Sequence, residues 1–99
     1  MAWNNIYILS KEVSSSDHEN LSMIRIPGGP YKGSHVSVPK KLLRDTKKKT
    51  VKNFSYTDDF SFDVHVEDGG GIVRISADDF NHMFAGMHKE CHSKIYGRR

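Results

Sequence analysis

The chain has 99 residues, of which 36% are hydrophobic and 27% charged, with a formal net charge of +3 when its histidines are neutral. That length supports one core rather than two, and the apolar content excludes disorder of the whole chain. No apolar run approaches the roughly 20 residues that cross a bilayer, Met1-Ala2-Trp3-Asn4-Asn5 lacks the pattern of a signal peptide, and the lone Cys91 cannot form an internal disulfide. The expectation is a single cytoplasmic domain over 1–99 with no membrane partner.

Taken in chain order, Asn5 to Ser10 reads as a strand, with Ile6 and Ile8 opposite Tyr7 and Leu9. Trp3 just before it is either an exposed dimer anchor or a buried residue that closes the barrel, and burial is the expectation. Residues 11–20, with Ser14, Ser15, Ser16 and Asp17, carry no apolar period and predict a flexible exposed loop. Leu21 to Ile26 alternates as a second strand and stops at Pro27-Gly28-Gly29-Pro30, and His35 to Val38 makes a short third strand. Pro39 to Asp45 has proline where a first helical turn accepts it, which predicts a short helix or turn over 39–45.

Val51 to Tyr56 predicts a further strand. Phe60 to Glu67 alternates strictly, with Phe60, Phe62, Val64 and Val66 on one face, and Asp68-Gly69-Gly70-Gly71 turns it into Ile72 to Ile75 as a hairpin. Ser76 then starts a helix, with Asp79 at the capping spacing and Phe80, Met83, Phe84 and Met87 as one apolar stripe. The C-terminal residues 93–99 read as a basic tail. No internal repeat is visible in the sequence. The fold class expected is α+β: a small antiparallel sheet or an SH3-like barrel with one C-terminal helix.

Charge is distributed unevenly. Lys40, Lys41, Arg44, Lys47, Lys48, Lys49 and Lys52 face the single acid Asp45 in their stretch. Asp58, Asp59, Asp63, Glu67 and Asp68 follow in an acidic stretch. Such a chain folds into an electrically polarised object.

Residues 23–38, Met23 to Val38, resemble the KOW motif of transcription elongation factors and ribosomal proteins. Gly29-Pro30-Tyr31-Lys32-Gly33 matches the motif's Gly-Pro-aromatic-basic-Gly loop between two strands, while Val36 stands where the family has a further glycine. The resemblance implies a small SH3-like barrel that contacts RNA or a polymerase. Physically, the loop offers backbone amides, the Tyr31 ring for stacking and Lys32 for phosphate, or else it is a tight hairpin with an exposed tyrosine.

Zinc requires converging ligands. His88 with Cys91 or His92 could share a helix face, but His82 to His88 is a poor spacing and no Cys-x-x-Cys pair accompanies them, so no metal and no cofactor are expected. No nucleophile elbow, P-loop or His-Glu-x-x-His motif points to an enzyme. The leading expectation is a non-enzymatic nucleic-acid-binding protein, RNA favoured over DNA, using Tyr31, Lys32, Lys40, Lys41, Arg44, Lys47, Lys48, Lys49 and Lys52. The alternative is a small inhibitor or adaptor, of the kind phages often encode, presenting Asp58, Asp59, Asp63, Glu67 and Asp68 to a host protein.

Overall fold

The computed structural model describes residues 2–67 and 69–97. Eight strands precede one helix: β1 (Trp3–Leu9), β2 (Val13–Ser15), β3 (Leu21–Arg25), β4 (His35–Pro39), β5 (Leu43–Asp45), β6 (Val51–Thr57), β7 (Ser61–Val66), β8 (Gly71–Ser76) and α1 (Ala77–Tyr96). All strand pairs are antiparallel, in one sheet ordered β1-β6-β5 and another ordered β2-β3-β4-β7-β8. The fold is thus a small α+β one, and among the described residues hydrogen bonding does not carry the strands round into a closed barrel.

Strand alternation puts Ile6 and Ile8 of β1, Phe54 and Tyr56 of β6, Ile24 of β3, Val36 and Val38 of β4, and Phe62 and Val64 of β7 into one shared core. The helix stripe enters the same core through Phe80, Phe84 and Met87, with Met83 half-buried at its rim. Phe80 stacks on Phe62 with ring centroids 4.4 Å apart and meets Phe54 edge-on at 5.5 Å, so the helix joins both sheets through one aromatic cluster. Ser76 caps the helix as its sequence predicts, accepting from the Asp79 N–H at 3.1 Å.

Three expectations are corrected. First, residues 11–20 are not a featureless loop: a 3₁₀ turn (Ser10–Glu12) leads into β2, and a tight turn returns the chain into β3. Second, Trp3 is 65% exposed and closes nothing. Third, the helix runs on to Tyr96, so most of the supposed tail is helical; Arg98 and Arg99 lie outside the described residues.

The structure also contains the repeat that the sequence hides. β1, the 3₁₀ turn (Ser10–Glu12), β2 and β3 recur as β4, the 3₁₀ turn (Lys40–Leu42), β5 and β6, each element thirty positions on: Ser10 matches Lys40, Val13 matches Leu43, Leu21 matches Val51. Within the segment predicted as a helix or turn over 39–45, only Lys40–Leu42 is helical. The pairing obeys the same symmetry. Leu9 faces Val51 as Pro39 faces Leu21, and Val13 faces Ile24 as Leu43 faces Phe54. The first strand of each repeat therefore pairs with the last strand of the other, which interlocks the two halves.

The C-terminal elements break this symmetry. β4 finds its second neighbour in β7, Ser37 aligning with Asp63. The equivalent side of β1 is covered instead by α1, where the Tyr7 N–H donates to His88 Nδ1 at 3.0 Å and the Leu9 N–H reaches Met87 Sδ at 3.5 Å. An edge strand with unpaired amides invites intermolecular pairing, and the helix removes that exposure. Among the described residues, no helix is long and apolar enough to cross a membrane.

Candidate nucleic-acid interface

Each repeat closes its β-turn with a hydroxyl. Ser16 Oγ accepts from the His18 N–H at 3.2 Å, and Thr46 Oγ1 accepts from the Lys48 N–H at 3.1 Å. Backbone contacts match as well: Leu21 N–H donates to the His18 carbonyl and Val51 N–H to the Lys48 carbonyl. Each turn is held against the other repeat's 3₁₀ turn, through Lys40 N–H to the Asn20 carbonyl and Ser10 N–H to the Thr50 carbonyl. One backbone frame thus presents two different turn sequences, Asp17-His18-Glu19-Asn20 and Lys47-Lys48-Lys49-Thr50.

This frame makes two equivalent clefts of similar size, about 500 and 530 Å³. The first is lined by Leu9, Ser10, Lys11, Lys49 and Thr50, with Glu90 and Lys94 added from the helix. The second is lined by Pro39, Lys40, Lys41, Glu19, Asn20 and Leu21. Since size does not separate them, charge does. Lys11, Lys49 and Lys94 outnumber Glu90 in the first, whereas Glu19 faces Lys40 and Lys41 in the second. Ser10 adds a second tie at the first cleft, its hydroxyl donating to the Lys49 carbonyl at 3.0 Å.

Beside the basic cleft, the Lys47 ammonium lies 5.3 Å from the centroid of the Tyr96 ring, within cation–π range. Tyr96 belongs to an aromatic group on the helix end and β1. Tyr7 stacks on His88 at 5.3 Å and exchanges a hydroxyl contact with Tyr96 at 3.2 Å, and His92 lies 4.8 Å from Tyr96. The hydrogen bond with Tyr96, then burial, pushes the Tyr7 phenol above its ordinary pKa. Burial, then the neighbouring His92, pushes His88 below the usual histidine value, in keeping with its Nδ1 serving as an acceptor.

The expected site residues do not all meet. Lys47, Lys48 and Lys49 are exposed on the second turn, and Arg44 is exposed on β5. Lys40 and Lys41 lie in the other cleft. Lys52 is engaged by Asp45 at 2.6 Å, and that contact holds the Asp45 carboxyl below its ordinary pKa. Tyr31 and Lys32 lie at the opposite end of β4, which at roughly 3.3 Å per residue separates them from Lys40 by more than about 16 Å. There the Gly29–Gly33 loop, with φ of 83° and 91° at the two glycines, folds over the helix start, and Tyr31 lines a cleft with Val73, Ile75 and Met83. The turn and the basic run are therefore separate surfaces.

The acidic stretch is dispersed too. Asp58 and Asp59 occupy the β6–β7 turn, where Asp58 accepts from the Asn4 amide at 2.8 Å and Asp59 from the Thr57 hydroxyl at 2.6 Å. Asp63 on β7 is bridged by Arg74 at 3.3 Å, and Glu67 sits beyond the far end of β7. Asp68 lies outside the described residues. Near the helix C-terminus, Cys91 is buried, which raises its thiol pKa. Among the described residues, no three His, Cys, Asp or Glu side chains converge as metal ligands do.

Sequence reasoning missed Lys11, Lys94, Tyr7, His92 and Tyr96 as parts of one surface. Tyr7 and Lys11 precede the basic run by some thirty residues and the others follow it, so only the interlocked repeat and the returning helix bring them together. No family model matches the chain, no curated protein matches it, and no solved structure matches it.

Proposed function

We propose that this protein is a non-enzymatic nucleic-acid-binding module whose phosphate-contacting surface is the basic cleft of Lys11, Lys49 and Lys94 together with Lys47 and Lys48 on the adjoining turn. The observation that supports this reading best is the convergence of cations from three separate elements, the first 3₁₀ turn, the β5–β6 turn and the helix end, around one cleft. Phosphates neutralised by lysines release condensed counterions, a sequence-independent driving force that such a surface exploits. Tyr96 and His92 beside the cleft add planar faces for bases, which favours a strand whose bases are accessible, as in RNA loops. The Gly29–Gly33 turn lies outside this surface.

The test is fluorescence anisotropy of labelled single-stranded RNA and duplex DNA titrated with the protein at about 50 mM and about 200 mM salt. Binding that weakens with salt and is lost in Lys47→Glu with Lys48→Glu is the expected result. Absence of binding at the lower salt concentration, or unchanged affinity in that variant, removes this reading.

A further inference from the structure

One face of the three-stranded sheet is open to solvent at its Trp3 end, while further along it Tyr7 and Leu9 are half-buried against the core and the helix. Along β1, Trp3, Asn5, Tyr7 and Leu9 alternate with the inward Asn4, Ile6 and Ile8, so those four side chains share the outer face. The register extends this face sideways: Asn5 aligns with Ser55 on β6, and Tyr7 aligns with Asn53, which in turn aligns with Arg44 on β5. In the rows from Trp3 to Tyr7 the other residues are amide, hydroxyl and guanidinium groups, whereas Leu9 at the far end pairs with the buried Val51.

Trp3, 65% exposed, is among the largest apolar surfaces left to solvent. It borders a small cleft of about 230 Å³ with Asn5, Arg44 and Ser55, an indole flanked by hydrogen-bonding groups and a cation. The Asn53 Oδ1 is buried with no hydrogen-bond partner in the same register row as Arg44. At the other end of β1, Leu9 forms a wall of the basic cleft. The distance from Trp3 to Leu9 is about 20 Å at roughly 3.3 Å per residue, and Tyr7, Tyr96 and Lys47 lie along the way.

We propose that this outer face is a platform for single-stranded nucleic acid, with a base stacked on the Trp3 indole between Arg44 and Asn5, and with the strand running along β1 toward Lys47 and the basic cleft. The proposal rests on the nucleic-acid reading above and specifies its substrate class. An indole on an open sheet needs a free base face, which a duplex hides within its stack, while an unpaired strand offers one at every nucleotide. Charge complementarity selects the occupant: Arg44 and Lys47 flank the face and lysines crowd its end, which suits a polyanion carrying planar groups.

Trp3 is the only tryptophan in the chain, so intrinsic fluorescence reports on this position alone. The intact protein is titrated with single strands of RNA and of DNA and with the duplex of the same sequence, following tryptophan emission and oligonucleotide anisotropy together. Single strands are expected to quench Trp3 with the same midpoint as the anisotropy change, and the duplex to leave emission unaltered. Trp3→Ala is expected to lose about 10-fold in single-strand affinity, equivalent to about 1.4 kcal/mol, while Trp3→Phe retains most of it. Binding with unaltered emission and an unaffected Trp3→Ala overturns the platform and leaves the phosphate cleft standing. No anisotropy change at low salt overturns the nucleic-acid reading itself. Emission that shifts with protein concentration alone, and an oligomer that Trp3→Ala dissociates, would identify the face as a self-association surface and overturn the proposal.

Discussion

The turns at 17–20 and 47–50 share a backbone and oppose each other in charge. Both follow a 3₁₀ turn and a three-residue strand, both are closed by a hydroxyl thirty positions apart in the pair Ser16 and Thr46, and both dock on the other repeat's 3₁₀ turn. One carries Asp17 and Glu19, the other Lys47, Lys48 and Lys49. Backbone geometry is specified by the apolar residues that enter the core and by the hydroxyl that closes the turn, which leaves the exposed positions free to set the electrostatics. The fold supplies two equivalent clefts, and side-chain identity makes the first the more cationic, with three lysines against Glu90 where the second has two against Glu19.

The core beneath the two repeats gives the largest expected effect. Ile24 and Phe54 occupy equivalent positions and both are fully buried. Phe54→Ala is expected to cost about 3–5 kcal/mol, since it also removes the one ring packed against Tyr56, Phe62 and Phe80, and Ile24→Ala about 2–4 kcal/mol. Chemical denaturation of both variants checks this, and a smaller loss at Phe54 would break the ranking.

Exchanging the turn charges sharpens the comparison directly. Lys47→Asp combined with Lys49→Glu gives the second turn the acids of the first and is expected to weaken nucleic-acid binding by about 100-fold at physiological salt. Circular dichroism should be unaltered, because neither side chain is buried. Asp17→Lys with Glu19→Lys should strengthen binding, since it leaves the Lys40–Lys41 cleft lined by cations with no acid among them and makes the adjoining turn basic.

The symmetry-breaking edge of β1 yields a pH effect. His88 accepts the Tyr7 N–H only when neutral, and its pKa is depressed in the folded state, so the unfolded chain binds the proton more readily. The stability it contributes is present above about pH 6.5 and is lost as pH falls from there through the lower folded value. The melting temperature should fall over that window, and His88→Gln should flatten the fall at a cost of about 1 kcal/mol at neutral pH. An equally steep fall in the variant would assign the titration elsewhere.

The turn hydroxyls give the smallest effect. Thr46 Oγ1 lies 2.9 Å from both the Lys48 and Val51 carbonyls besides accepting from Lys48, whereas the Ser16 hydroxyl has the single contact with His18. Thr46→Ala should cost about 0.5 kcal/mol and Ser16→Ala less, measured by urea denaturation.

Much of this architecture is legible in the sequence because its strands alternate visibly. Phe62 and Val64 inside, Asp63 and His65 outside, and Phe80, Phe84 and Met87 on one helix face follow from period alone. The repeat was hidden because its two copies share type rather than identity: Val13 and Leu43, Leu21 and Val51, Ile24 and Phe54, Ser16 and Thr46. Between Ser10 and Ile24 and their counterparts, only Lys11 and Lys41 are the same residue. Strands of three residues such as β2 and β5 are too short for alternation to register. Trp3 misleads because composition favours burial, while its place on the outer face depends on the β1 register. The lysines of the second turn were legible as a charge run, but their partners Lys11 and Lys94 required the tertiary path of the chain.

The most direct test of the cationic cleft is the salt dependence of single-stranded RNA binding, the slope of log affinity against log salt concentration, compared between the natural chain and Lys11→Gln with Lys49→Gln and Lys94→Gln. Each phosphate contact contributes about 0.7 to that slope for a single strand, so its magnitude should fall by about 2 in the variant. An unchanged slope, with the variant folded and still binding, would mean that the cleft holds no phosphate and would contradict the assignment of function to this surface.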